Sequence, residues 1–278
     1  MALSISSLNS GSNGNCYYIG NTEEAVLIDA GISCREIERR LKRQGLSMRT
    51  VRAIFITHEH TDHVAGLRKL CRKYQLPVYM TNKTKEGSWI ELRDVQVRNF
   101  VAHEEIALGR LRITPFPVHH DARDPHGFLV ANESVAVGVF TDLGITDEHT
   151  AAYFQRCHAA FFESNYDEVI LETGTYPQHL KDRIRGGKGH LSNLQALQFF
   201  MTHRPLFMSH LFLAHLSRNN NAPEIVQKLF SAVAGSMEIM VASRNEESGV
   251  FSITDELRAD ESTLKRPQPL TQQLSLFR

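Results

Sequence analysis

The stretch FITHEHTDHVAGL, residues 55–67, places His58, His60, Asp62 and His63 directly after an apolar run and directly before a helical one. A connection this short cannot keep four metal-capable side chains apart. His58 and His60 are two residues apart and can face one ion, while Asp62 and His63 turn the corner towards a second ion about 3.5–4 Å away. Imidazole and carboxylate donors admit Zn²⁺ or Mn²⁺ alike. Cys16, Cys34, Cys71 and Cys157 are scattered without a Cys-x-x-Cys pair, which argues against a thiolate zinc site and a disulfide framework and for reduced thiols.

Further candidates close other apolar runs. FPVHHDARDPHG offers His119 and His120, VFTDLG offers Asp142, and LAHLSRNNN offers His215. Neighbours on an extended chain point to opposite sides, so His119 and His120 cannot both face one ion. His210 shares its run with His215 at an odd separation and is the alternative to it. Asp29, ending AVLIDAG, reads either as the support of a ligand histidine or as a turn cap. In GGKGHLSN, residues 186–193, glycines let backbone amides approach an anion and Ser192 can cap a helix starting near Asn193. With Lys188 beside them, that place suits a phosphate. SGSNGN, residues 10–15, reads as an amide nest or a tight turn. Most other histidines, including His103, His149, His158, His179 and His203, read as structural or solvent-facing.

Positioning these residues requires strands that end on one rim. The runs at 16–20, 25–31, 51–57, 77–80, 111–118, 128–131 and 135–140 are rich in Val, Ile, Phe and Tyr and bounded by Gly, Asn, Asp or Pro, which predicts strands. SCREIERRLKRQG predicts a helix with a Ser33 cap and a Gly45 stop, and HVAGLRKLCRKYQ one with Val64, Leu67, Leu70 and Cys71 on one face. The second half alternates TDEHTAAYFQRC, AAFFES, NLQALQFFMTH, LFMSHLFLA, APEIVQKLFSAV and MEIMVAS as helices and strands. The class is α/β. The 73 residues from Asp142 to His215 (215 − 142) are expected to hold two helices, a strand and the glycine loop.

Lys plus Arg and Asp plus Glu are 31 each in 278 residues with 42% hydrophobic content. Such a chain can bury a large core, and no charge excess advertises a polyanion. The absence of a long apolar run and of a signal-peptide pattern predicts a cytoplasmic protein without membrane contact. Composition turns polar after GVFSIT, so a domain of residues 1–254 and a tail of 255–278 are expected.

Asp29, His58-x-His60-x-Asp62-His63, a histidine near 120, Asp142 and a late histidine together resemble the metallo-β-lactamase superfamily, an αββα sandwich with a dinuclear metal site at one edge. SGSNGNCYYI, LIDAG, VHHDARDPHGF, TDLG, GHLSN and AHLSRNNN look like its YycJ/WalJ group, described as DNA exonucleases. The resemblance covers residues 3–254. It implies that His58, His60 and His120 bind one ion, that Asp62, His63 and His215 bind another, and that Asp142 bridges both. His190 is implied to contact phosphate or donate a proton, so Asp62, Asp142 and His190 are the expected catalytic groups. Group members commonly carry Ser where this chain has His119. The fold also hosts RNA-processing nucleases and small-molecule phosphodiester or thioester hydrolases. No segment matches the inserted domain of the β-CASP nucleases or the glycine- and proline-rich arm of RNase Z.

The tail ends in PQPLTQQLSLFR. Its Gln273, Leu274, Ser275, Leu276 and Phe277 resemble the bacterial sliding-clamp-binding motif, an extended peptide whose apolar side chains fill pockets on a partner. Residues 255–272 would form a linker of about 18 residues reaching roughly 20–25 Å. The resemblances together imply a 5′-to-3′ exodeoxyribonuclease tethered near DNA by the clamp, where local concentration replaces charge.

Overall fold

The computed structural model describes residues 1–255. The expected linker beyond Asp255 and the Gln273–Phe277 motif lie outside the described residues. Strands from the first part of the chain are β1 (Leu3–Asn9), β2 (Cys16–Gly20), β3 (Ala25–Ile28), β4 (Val51–Phe55), β5 (Val78–Tyr79) and β6 (Val97–Arg98). The second set is β7 (Ile106–Leu108), β8 (Leu111–Pro117), β9 (His126–Ala131), β10 (Ala136–Phe140), β11 (Ala159–Glu163), β12 (His210–Ala214) and β13 (Glu238–Val241). With β14 (Phe251–Ile253) returning to pair with β1, the two seven-stranded sheets run β14-β1-β2-β3-β4-β5-β6 and β13-β12-β11-β10-β9-β8-β7.

Strand alternation builds the layers. Tyr17 and Ile19 of β2 face a core between the sheets, while Cys16 and Tyr18 face the outer side of the first sheet. On β11 and β12, Phe161, Phe212 and Ala214 enter the central core, and Phe162, Leu211 and Leu213 face the outer side of the second sheet. Burial on both faces explains why these strands read as continuous apolar runs. Each large side chain so buried contributes about 1.5–3 kcal/mol.

Helices cover both outer faces. On the first sheet lie α1 (Cys34–Arg43), α2 (Thr61–Val64) and α3 (Leu67–Tyr74), followed by α4 (Asn82–Gly87) beside the 123–124 loop. Ser33 caps α1 by accepting from the Glu36 amide, and Gly45 has φ +71°, as the sequence predicts. Val64, Leu67, Leu70 and Cys71 are all buried, but their segment is two helices broken at Gly66, where a Cβ would lie 1.9 Å from the Ile32 carbonyl. The remaining helices are α5 (Glu148–Phe154), α6 (Glu168–Thr173), α7 (Gln178–Arg185), α8 (Asn193–His203) and α9 (Pro223–Ser231).

Four helices, not two, therefore lie between Asp142 and His215. The pair α6 and α7 escapes periodicity because each is short and Gly174 and Pro177 interrupt the pattern between them. β1 is likewise hidden, because buried Ser6 and Ser7 break its apolar alternation. The result is an αββα architecture in which β3 and β4 of one sheet, and β10, β11 and β12 of the other, are parallel within their sheets.

Candidate metal centre

The carboxyl ends of β3, β4, β8, β10, β11 and β12 deliver the chemistry to one rim, where parallel strands leave their connecting loops. Three rim residues, Asp29, Asp142 and His215, have φ of 63°, 60° and 55°. Left-handed backbone at non-glycine residues is costly and recurs where geometry serves function. Here it turns each chain sharply within two residues of a strand end.

The loop after β4 is held by backbone. The Asn15 amide donates to the Asp62 carbonyl at 2.7 Å, Ala30 to His63 at 2.9 Å, and Gly66 to Ala30 at 2.8 Å. Gly31 makes this approach possible, since a Cβ there would lie 1.6 Å from the Asp62 carbonyl oxygen.

The ligating atoms of His58, His60 and His120 lie within 4.8 Å of one another, as do those of Asp62, His63 and His215. Asp142 lies between the groups: Oδ2 is 3.3 Å from His63 Nε2, and Oδ1 is 3.5 Å from both His120 Nε2 and His215 Nδ1. His119 points away, 3.1 Å from Asp147 Oδ2 and half exposed. His210 sits at the opposite end of β12, bonded to the Ser209 hydroxyl at 2.7 Å, so it does not join the cluster.

Each inner histidine is held through Nδ1. The bonds run from His58 to the Thr57 hydroxyl at 3.0 Å, His63 to Asp29 Oδ2 at 2.7 Å, His120 to the Gly189 carbonyl at 3.0 Å, and His215 to Glu163 Oε1 at 3.0 Å. Nε2 is thereby turned away from these supports, as in a metal-ligating histidine. His58 Nε2, His215 Nε2 and Asp142 Oδ2 are buried without a hydrogen-bond partner among the described residues. Buried polar atoms are costly unless satisfied, and a pair of divalent cations fits this donor set.

Burial disfavours charge on all these groups, and their neighbours decide the outcome. It would raise Asp142 and Asp62, yet the adjacent His63 and His215 hold both well below the usual carboxylate range. It would lower His63 and His215, yet Asp29, Asp142 and Asp62 hold His63 well up, and Asp142, Asp62 and Glu163 raise His215 to about 10. Burial and neighbouring histidines keep His58 low, and burial foremost does so for His120. The rim thus draws positive charge towards Asp62, Asp142 and Glu163.

Asp29 is fully buried and also accepts from the Thr57 amide and hydroxyl at 2.9–3.1 Å. Both sequence readings therefore describe it: it supports His63 and it anchors the turn. Glu163, absent from the sequence expectations, is fully buried and holds both His190 Nδ1, at 2.9 Å, and His215 Nδ1. Its signal was present in AAFFES, an acidic residue ending an apolar strand as Asp29 does. Asn15 is a second omission, with Nδ2 3.1 Å from His63 Nε2 and 3.3 Å from Asp62 Oδ2.

The expected phosphate cradle needs correction. Ser192 is buried and engaged in a capping box with Gln195, and the Leu191 and His190 amides donate to Glu163 and Ile184. The cap consumes what an anion would have used, so Ser192 serves helix α8. Lys188 is exposed, and His190 alone of the three stands at the cluster, its side chain 19% exposed.

A beta-lactamase superfamily domain model matches residues 24–215. The chain is 34% identical over 236 residues to exodeoxyribonuclease YycJ of Bacillus anthracis, covering 84% of this chain and 89% of that protein. It is 31% identical over 223 residues to exodeoxyribonuclease WalJ of Streptococcus pneumoniae, covering 78% and 83%. Among solved structures, the metallo-β-lactamase fold protein YhfI of Bacillus subtilis superposes with a TM-score of 0.70 at 15% identity, covering 91% of this chain and all of that one. That likeness establishes the fold.

Proposed function

Since the chain belongs to the metallo-β-lactamase superfamily and is a metal-dependent hydrolase, we propose that it is a 5′-to-3′ exodeoxyribonuclease of the cytoplasm using two Zn²⁺ or Mn²⁺ ions. The observation that carries this reading is the pair of three-residue clusters joined by Asp142, in a chain aligned over most of its length with two exodeoxyribonucleases. His58, His60 and His120 would hold one cation, Asp62, His63 and His215 the other, with Asp142 shared. Such a pair supplies Lewis acidity, generating a nucleophile from water near neutral pH and neutralising phosphodiester charge.

The chain's own groups then orient the reaction. Glu163 accepts from His190 Nδ1, which leaves His190 Nε2 to meet a phosphate oxygen or to give a proton to the departing alcohol. Asp29 and Glu163 fix the rings of His63 and His215 from behind. Among the described residues no helix is long and apolar enough to cross a membrane. The sequence QLSLF at 273–277 supports recruitment by the sliding clamp.

Digestion of end-labelled single- and double-stranded DNA with Mn²⁺ or Zn²⁺ tests the reading. Stepwise release of nucleotides from the 5′ end is expected. Absence of end-dependent products with either metal overturns it. Deleting residues 273–278 is expected to abolish clamp binding while leaving basal cleavage intact; equal clamp affinity without the tail rejects the recruitment.

A further inference from the structure

Beside the metal centre lies a cavity of about 410 Å³, between the segment after β12 and the segment after β13. Its polar lining includes Ser10, Arg218, Asn221, Ser243 and Arg244, and no Asp or Glu contributes to it. In a chain with equal numbers of acidic and basic residues, two arginines in an acid-free hollow mark a local preference for anions. Arg244 Nη1 is buried without a hydrogen-bond partner, and neither arginine is ion-paired among the described residues. Burial and the neighbouring charge of Arg218 push the Arg244 pKa down.

The cavity shares a wall with the centre. The Ser10 hydroxyl accepts from the His215 amide at 2.8 Å, and Leu216 and Ser217 continue from His215 into the lining. The loop at 10–15 also reaches both places: Asn13 donates to the Arg244 carbonyl at 2.7 Å, while Asn15 touches His63. Leu216, Pro223, Val241 and Ala242 supply its apolar lining. The volume suits a small organic ligand rather than a bare phosphate.

We infer that this cavity is a nucleotide subsite, in which Arg218 and Arg244 grip a phosphate next to the cleaved bond while the apolar wall receives the base. Resting on the nuclease reading, it adds a strand-holding site to a protein whose net charge offers DNA little. The phosphate is either the terminal 5′ group or an internal one.

The test compares wild type with R218A, R244A and the double variant. On oligonucleotides, KM is expected to rise about 10–100-fold for the double variant, the range for losing charge-assisted hydrogen bonds, with kcat little changed. Turnover of bis(p-nitrophenyl) phosphate, which is too small to span both sites, is expected to stay at the wild-type level. A KM defect confined to 5′-phosphorylated strands assigns the cavity to the end group, and an equal defect on 5′-hydroxyl strands assigns it to an internal nucleotide. Unchanged KM on both strands, or an equal loss on the small ester, overturns the subsite. Affinity for deoxyadenosine 5′-monophosphate, measured by calorimetry, provides an arm independent of DNA cleavage. If wild type hydrolyses the small ester but not DNA, the nuclease reading fails alone; if the double variant binds the nucleotide as wild type does, the subsite fails alone.

Discussion

The first sheet delivers His58, His60, Asp62 and His63 from one connection after β4, whereas the second delivers His120, Asp142, Glu163, His190 and His215 from strand ends and loops spread over residues 120–215. The supports differ in the same way. Asp29 holds one histidine, His63, but Glu163 holds two, His190 and His215. The loop after β4 is fixed by backbone bonds to Asn15 and Ala30, which come from the connections beside β2 and β3. A dispersed set depends on strand order and on buried carboxylates that tie one connection to the next. The second half of the centre is therefore the more exposed to a single polar substitution.

The largest expected effect comes from the residue joining the two halves. Asp142→Ala is expected to abolish DNA cleavage, a loss of about 10³-fold or more, because it removes a group shared between both clusters. Asp62→Ala and His63→Ala are expected to abolish activity with the fold retained, as read by circular dichroism. Turnover near wild type in clean protein from any of the three would reject the assignment.

Next comes a direct test of the asymmetry. Asp29→Asn and Glu163→Gln each remove a negative charge behind the histidines and are expected to cost about 10–100-fold in metal affinity or activity. Glu163→Gln should be the more damaging, since two rings lose their anchor. Metal titration by calorimetry and steady-state rates decide this, and a larger effect at Asp29 would reverse the comparison.

Gly31→Ala probes the local half through backbone alone. Crowding of the Asp62 carbonyl is expected to cost about 1–3 kcal/mol of stability and to weaken metal binding, read by denaturant titration with and without metal. The smallest effect belongs to Ser33→Ala, which removes the α1 cap at about 1 kcal/mol while leaving cleavage rates unchanged. A fall in rate from Ser33→Ala would show that the two layers are coupled more tightly than their contacts suggest.

Legibility followed the same division. The four residues after β4 could be read directly, because their spacing leaves no room for another arrangement, and Ser33 and Gly45 marked α1 by the conformations their side chains allow. His120, Asp142 and His215 were legible only as polar residues closing apolar runs, with the family resemblance joining them. Glu163 has the same signature, but a single acidic residue after phenylalanines does not announce what it faces. Ser192 is legible as a cap, and Gln195 and burial complete that cap without an anion.

The sequence by itself determined the α/β alternation, the crowding of His58, His60, Asp62 and His63, and the caps, all of which depend on residues within one or two turns or strands of each other. The family resemblance pointed to His120 over His119, but only the tertiary structure decided that His119 turns to Asp147, that His210 lies at the far end of its strand, and that Glu163 supports two histidines at once. It also set Arg218 and Arg244 beside one cavity. Those outcomes are fixed by sheet order and by left-handed turns at strand ends, which bring together residues that sequence distance keeps apart.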